Sequence, residues 1–208
     1  MKRWNPNAAE VTGLAISPRL GTYRNLTSRA GSAGDAKKAG NFGGVDQRAA
    51  RRKAGMDITW VTDRIAVGGG IWNAENMAAV ARAGITHIID MQIEFDDTAL
   101  ATAQGIEVCW NPIEDDFEPK PAAVFERGVE FALAALKDDE AKVFVHCAAG
   151  VHRAPMMTLA LLVVMGWTLD DARDLIEGRR AAADFAEVYV RSVENFLKSR
   201  ERKPARRG

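Results

Sequence analysis

Positions 146 to 155 read His146-Cys147-Ala148-Ala149-Gly150-Val151-His152-Arg153-Ala154-Pro155. A short β-prone apolar run precedes this segment and a long helical run follows it, so it is a loop joining a strand to a helix. Successive backbone N–H groups in such a loop, with the helix N-terminus behind them, converge on one point and favour an anion there. The same field favours the thiolate form of a cysteine, which is its nucleophilic form. Gly150 supplies the backbone freedom a tight cradle needs. The planar fork of Arg153 can hold two phosphate oxygens and follow their charge into a transition state. Cys147 and Arg153, with Ala148, Ala149, Gly150, Val151 and His152 between them, therefore put a nucleophile and a phosphate seat in the same place.

His-Cys, two residues, Gly, two residues, Arg resembles the signature loop of the protein tyrosine phosphatase superfamily, and the similarity is to its dual-specificity branch. It extends over residues 56–198: 58–68 resembles that branch's opening strands, 84–91 its first buried parallel strand, and 159–180 the helical segment behind its loop. The resemblance implies a cysteinyl-phosphate intermediate and a separate aspartate that protonates the leaving oxygen and later activates water. That aspartate is expected about thirty residues before the cysteine, in the loop after a strand, and Asn111-Pro112-Ile113-Glu114-Asp115-Asp116-Phe117-Glu118 occupies the place. Asp115 is the expected acid and Asp116 the near alternative. His146 takes the place of a histidine that shapes the loop. The family normally carries Ser or Thr directly after the arginine, where this chain has Ala154; the missing hydroxyl implies a slower breakdown of the phosphoenzyme. No counterpart of the loop that deepens strictly tyrosine-specific pockets is recognisable. Ala148, Ala149 and Val151 are neutral where relatives acting on inositol phospholipids often carry lysines. The expected substrate is therefore a phosphorylated protein, with both phosphotyrosine and phosphoserine or phosphothreonine in range.

The elements that must position these residues follow from periodicity and punctuation. Runs at 58–61 and 64–67 flank Thr62-Asp63 and suit a hairpin. Asn73 caps a helix that Gly84 stops, and 86–91 is a buried strand. Residues 97–104 form a short helix closed by Gly105, and 106–110 the next strand. The apolar spacing over 121–137 is that of an amphipathic helix, and 142–146 is the strand that leads into the loop. After Arg153 the chain is helical, with Pro155 in a first turn. Thr168 caps a further helix, and Asp184 with Glu187 resembles a capping box for the last one. Alternating strands and helices predict an α/β domain with a central, mostly parallel sheet flanked by helices.

Composition bounds the rest. The 208 residues suffice for one ordinary domain. Net charge is zero, but residues 1–55 hold 11 Lys and Arg against three acids, and residues 198–208 hold six against one. The 142 residues between them carry 11 basic and 24 acidic side chains. The reading is a basic N-terminal segment over 1–55, expected to be disordered, a catalytic body over 56–198 and a basic tail over 199–208. The tails suit an acidic or nucleic-acid partner; the N-terminal one also fits a merely solvated leader or an Arg-rich transit peptide. Two cysteines make no disulfide framework and point to the cytoplasm. No stretch approaches a membrane span. The histidines and cysteines lack zinc-site spacing and there is no Walker-type lysine loop, so no metal and no cofactor is expected.

Of the remaining candidates, His152 can touch substrate or face water. His87 is expected to be structural, and Cys109 a buried inert thiol, with capture of an oxidised Cys147 as the other option. Trp60, Trp72, Trp110 and Trp167 are expected to pack. Two functions of other kinds use the same loop: a phosphate-binding adaptor with little turnover, to which Ala154 lends weight, and an RNA 5′-phosphatase, to which the basic tails do.

Overall fold

Along three consecutive sheet strands, apolar side chains alternate between two cores, and this period of two is what sandwiches the sheet between helices. The computed structural model describes residues 55–202. The strands are β1, Ile58–Trp60; β2, Ile65–Gly68; β3, His87–Asp90; β4, Glu107–Trp110; and β5, Val143–His146. The helices are α1, Ala74–Arg82; α2, Thr98–Thr102; α3, Ala122–Ala135; α4, Arg153–Val164; α5, Leu169–Arg179; and α6, Glu187–Arg202. Sheet order is β1-β2-β5-β3-β4. Only the β1–β2 pair is antiparallel, so the sheet is mixed and mostly parallel, as expected.

Ile65 and Val67 of β2, Ile89 of β3, and Val143 and Val145 of β5 face the core built with α3 to α6. Ala66, Ile88 and Phe144 face the opposite core under α1 and α2. Cys147 continues the β5 alternation onto the α4 side. Helix α4 is buried along Arg153 to Leu162, as a helix through the middle of a core must be. Asn73 and Thr168 do cap α1 and α5, accepting the amides of Asn76 at 2.8 Å and Asp171 at 3.1 Å. Gly84 and Gly105 take positive φ where the sequence places helix stops.

Two expectations fail. Asp184 does not cap α6: the helix starts at Glu187, and the Tyr189 amide donates to the Ala186 carbonyl. The Asp184 carboxylate lies instead 3.4 Å from His152 Nε2. The tryptophans do not all pack, since Trp72, Trp110 and Trp167 are 48%, 37% and 37% exposed.

The basic segment over 1–55, apart from Gly55, and positions 203–208 of the basic tail lie outside the described residues. No helix among the described residues is long and apolar enough to cross a membrane.

Candidate functional site

Parallel strands β2, β5, β3 and β4 deliver their C-terminal loops to one end of the sheet, the usual place for a ligand crevice in α/β folds. The 147–152 loop occupies the centre of that end. Its four central carbonyls, Ala148 to Val151, are held from outside. Ala148 accepts from the Gly70 amide at 3.0 Å, and Val151 from the Asp184 amide at 2.9 Å. Arg180 donates through Nε to Gly150 at 2.7 Å and through Nη2 to Ala149 at 3.3 Å. With the carbonyls so engaged, the amides of Ala148, Ala149, Val151, His152 and Arg153 donate to no protein acceptor among the described residues. The Gly150 amide donates to Cys147 Sγ at 3.2 Å. A ring of free N–H groups around a sulfur is a nest for a tetrahedral anion.

Gly150 is required here. Its φ is +65°, and a Cβ would lie 2.5 Å from the Gly68 carbonyl carbon and 2.3 Å from Arg180 Nη2. Arg180 in turn forks onto Asp57 through Nη1 at 2.8 Å and Nη2 at 2.6 Å. That guanidinium holds the Asp57 carboxyl below its ordinary range. One arginine thus ties the loop to the start of β1.

Arg153 is buried, and its two Nη atoms grip Glu94 end-on at 2.9 and 2.8 Å. Nη1 also donates to the Ile113 carbonyl at 3.0 Å. Nε is buried without a hydrogen-bond partner, so the side-on edge formed by Nε and Nη2 remains for an incoming oxyanion. Glu94 is held below the usual carboxylate range chiefly by its bond to Arg153.

Asp115 belongs to this group. Its Oδ2 lies 3.1 Å from His152 Nδ1 and 3.7 Å from Arg153 Nε, and its Oδ1 accepts from the Tyr189 hydroxyl at 3.0 Å. Tyr189 also accepts the Phe117 amide at 2.9 Å and stacks on the Phe117 ring. Burial, with Asp115 adding to it, pushes the Tyr189 phenol up to about 12, so it stays a donor to Asp115 at any working pH. Phe117, at φ 58°, is the one non-glycine residue with positive φ among the described residues, an uncommon backbone state that the Tyr189 bond helps maintain. Asp116 faces elsewhere: it pairs with Lys120, which holds its carboxyl below the ordinary range.

His146 is fully buried, its Nε2 2.9 Å from Asp97 Oδ2 and 3.7 Å from Asp90 Oδ1. These three residues bring donor atoms within 4.8 Å of one another, a grouping that sequence spacing does not reveal. The 2.9 Å separation is that of a hydrogen bond. Burial, opposed by His146 and reinforced by Asp97, pushes the Asp90 carboxyl up to about 7. An unfolded aspartate ionises near ~3.9, so between about pH 4 and 7 the folded chain holds a proton that the unfolded chain has lost. The stabilising linkage is therefore complete below about pH 4 and lost as pH rises to 7, a few kcal/mol in all. Asp90→Asn is expected to gain more stability relative to wild type at pH 8 than at pH 5, measured by urea midpoints. An equal difference at both pH values would refute the linkage.

His87 behaves as a structural residue, its Nδ1 2.8 Å from Thr86 Oγ1 and its ring edge-on to Phe131. Burial pushes the Cys109 thiol up. Cys109 pairs across to Ile89, and Ile89 to Val145. Cys109 is therefore two strand spacings from β5, about 9–10 Å. That exceeds the ~7 Å Cα limit for a disulfide, so it cannot capture Cys147 without backbone movement.

Sequence reading did not find Glu94, Tyr189 or Arg180. Glu94 had a usable signal, since it lies in the loop after a predicted parallel strand. Tyr189 had none beyond being a polar residue between two valines, and Arg180 had none.

The family described as dual specificity phosphatase, catalytic domain, matches residues 71–198. Human dual specificity protein phosphatase 5 is 27% identical over 114 residues, 54% of this chain and 29% of that protein, so the matched stretch spans under a third of the relative's length. Among solved structures, PTPMT1 in complex with PI(5)P aligns with a TM-score of 0.61 at 20% identity, over 68% of this chain and 95% of that one. Human DUSP28 aligns at 0.59 and 19% identity, over 69% and 95%. At such identities the structural likeness is one of fold.

Proposed function

Because the chain belongs to the dual-specificity phosphatase catalytic-domain family, we propose that it hydrolyses phosphomonoesters of proteins, on tyrosine and on serine or threonine, through a cysteinyl-phosphate intermediate. The observation that carries this reading is the coincidence of a sulfur, five free loop amides and the free edge of Arg153 at one end of the sheet. In the first step Cys147 Sγ attacks phosphorus in line. The S–P bond forms as the P–O bond to the substrate oxygen breaks, and Asp115 gives that oxygen its proton. In the second step water attacks phosphorus, Asp115 takes its proton, and the S–P bond breaks to release phosphate. The amides and the Nε edge of Arg153 bind the equatorial oxygens throughout. His146 anchors the last position of β5 before the sulfur through its bond to Asp97, and Tyr189 and His152 hold Asp115 beside Arg153. No step calls for a metal or cofactor. Both cysteines are free, which suits a reducing compartment such as the cytoplasm.

Ala154 is buried at the start of α4 and brings no hydroxyl to the sulfur, so the second step is the slower one. Rapid-quench mass spectrometry with a phosphotyrosyl peptide is expected to find a phosphoryl group on the peptide containing Cys147. Ala154→Ser is expected to lower that steady-state phosphoenzyme and raise kcat about tenfold or more, on the order of one hydrogen bond to a charged group. A phosphopeptide that binds without phosphoenzyme or phosphate release would favour the adaptor reading, for which Ala154 is the specific observation.

A further inference from the structure

Five stretches form the mouth of the site: residues 69–73, 91–97, 111–121, 147–152 and 181–186. They contain eight acids and a single Lys or Arg, Lys120. Lys120 is already engaged, paired with Asp116 and set over the Tyr189 ring. Arg153 beneath is buried and forked by Glu94. Exposed carboxylates stand on these stretches at Glu94, Asp96, Glu114, Glu118 and Asp184. Between them stand the exposed apolar faces of Trp72, Ile93 and Phe117, with Phe117 edge-on to His152 at 5.0 Å. An anion seat is thus framed by a rim of its own sign. The body shares that sign, with 24 acidic and 11 basic residues between 56 and 197.

Such a rim does nothing for the bound phosphate, which the amides and Arg153 hold, but it selects what surrounds the phosphate. Groups a few ångströms outside the nest sit within a Debye length, about 8 Å, of several carboxylates. A second phosphate of a lipid headgroup, the next phosphodiester of an RNA end, or glutamates flanking a phosphoresidue are repelled there. Lysine and arginine are attracted, and their aliphatic stems and cationic heads suit the apolar and π faces between the acids. Building on the phosphatase reading, we propose that the substrate is a phosphopeptide segment with basic residues on both sides of the phosphorylated residue. The acidic rim reads those residues.

The test uses the full chain and five probes: a phosphotyrosyl peptide with Arg and Lys at the flanking positions, the same peptide with Glu there, a small aryl phosphate, a 5′-phosphorylated oligoribonucleotide, and vesicles containing a phosphoinositide. The basic peptide is expected to exceed the acidic one in kcat/KM by about tenfold at low salt, the sum of a few exposed ion pairs. The ratio should shrink as salt rises. Glu114→Lys with Glu118→Lys, both outside the catalytic group, should remove most of the preference and leave aryl phosphate turnover unchanged. Equal or inverted peptide preference, or faster turnover of the oligoribonucleotide or the vesicles, overturns the inference while aryl phosphate turnover upholds the enzyme. Loss of aryl phosphate turnover in the wild type would sink the phosphatase reading itself, and this inference with it.

Discussion

Cys147→Ser is expected to abolish phosphate release from any substrate, a loss of roughly ten-thousand-fold or more, while phosphopeptide binding survives. Serine keeps the shape of the nest, since the Gly150 amide that donates to Sγ can donate to an oxygen as well. What it does not keep is the proposed nucleophile. Among the described residues no histidine or carboxylate hydrogen-bonds the Cys147 sulfur, so no general base is at hand to activate it. A sulfur is a far better nucleophile without such help than an aliphatic hydroxyl. Phosphate release and calorimetric titration with a phosphotyrosyl peptide, run in parallel on both proteins, check the prediction. Turnover that survives in the serine variant would show that the sulfur is not the nucleophile. Wild type that binds without turning over would make the nest a recognition module.

Replacing Asp115 by asparagine is expected to lower kcat by about 10²- to 10⁴-fold on phosphoserine or phosphotyrosine peptides, the usual range for losing a positioned acid. The loss should be far smaller on an aryl phosphate whose leaving group departs without a proton. Asp116→Asn is expected to stay within about twofold of wild type. The neighbours differ because of what holds them: Asp115 is fixed by Tyr189 and His152 beside Arg153, whereas Asp116 is turned to Lys120. Asparagine still accepts from Tyr189, so the loop should remain in place and thermal stability should change little. Equal losses in the two variants, or a loss independent of leaving group, would remove Asp115 from the acid role.

The sheet was legible because buried parallel strands are short apolar runs bounded by turns. Positions 65–68, 87–90 and 143–146 are such runs, and each strand followed from its neighbours alone. The helix starts at Asn73 and Thr168 were legible for the same reason, since a cap acts within three residues. Asp184 and Glu187 have the same spacing yet do not cap α6, because the Asp184 carboxylate has a distant partner in His152. Tertiary attraction overrode a local motif. The site divides likewise. Cys147, Gly150 and Arg153 sit in one short segment, and their arrangement follows from their order. The grip of Glu94 on Arg153 spans 59 positions, and that of Tyr189 on Asp115 spans 74. Neither follows from spacing, because only the folded sheet end brings those loops together.

Arg180 has a consequence for anyone who would transplant this chemistry. The curvature of the 147–152 stretch is imposed largely from beyond it, by a guanidinium from the end of α5, by Asp57 before β1, which holds that guanidinium, and by the Gly68 backbone, against which Gly150 packs more closely than a side chain would allow. Residues 146–155 spliced into a foreign strand-to-helix junction would carry the reactive atoms without the mould that shapes them. The smallest portable unit is a discontinuous one, and a designer would have to move all of these contacts together.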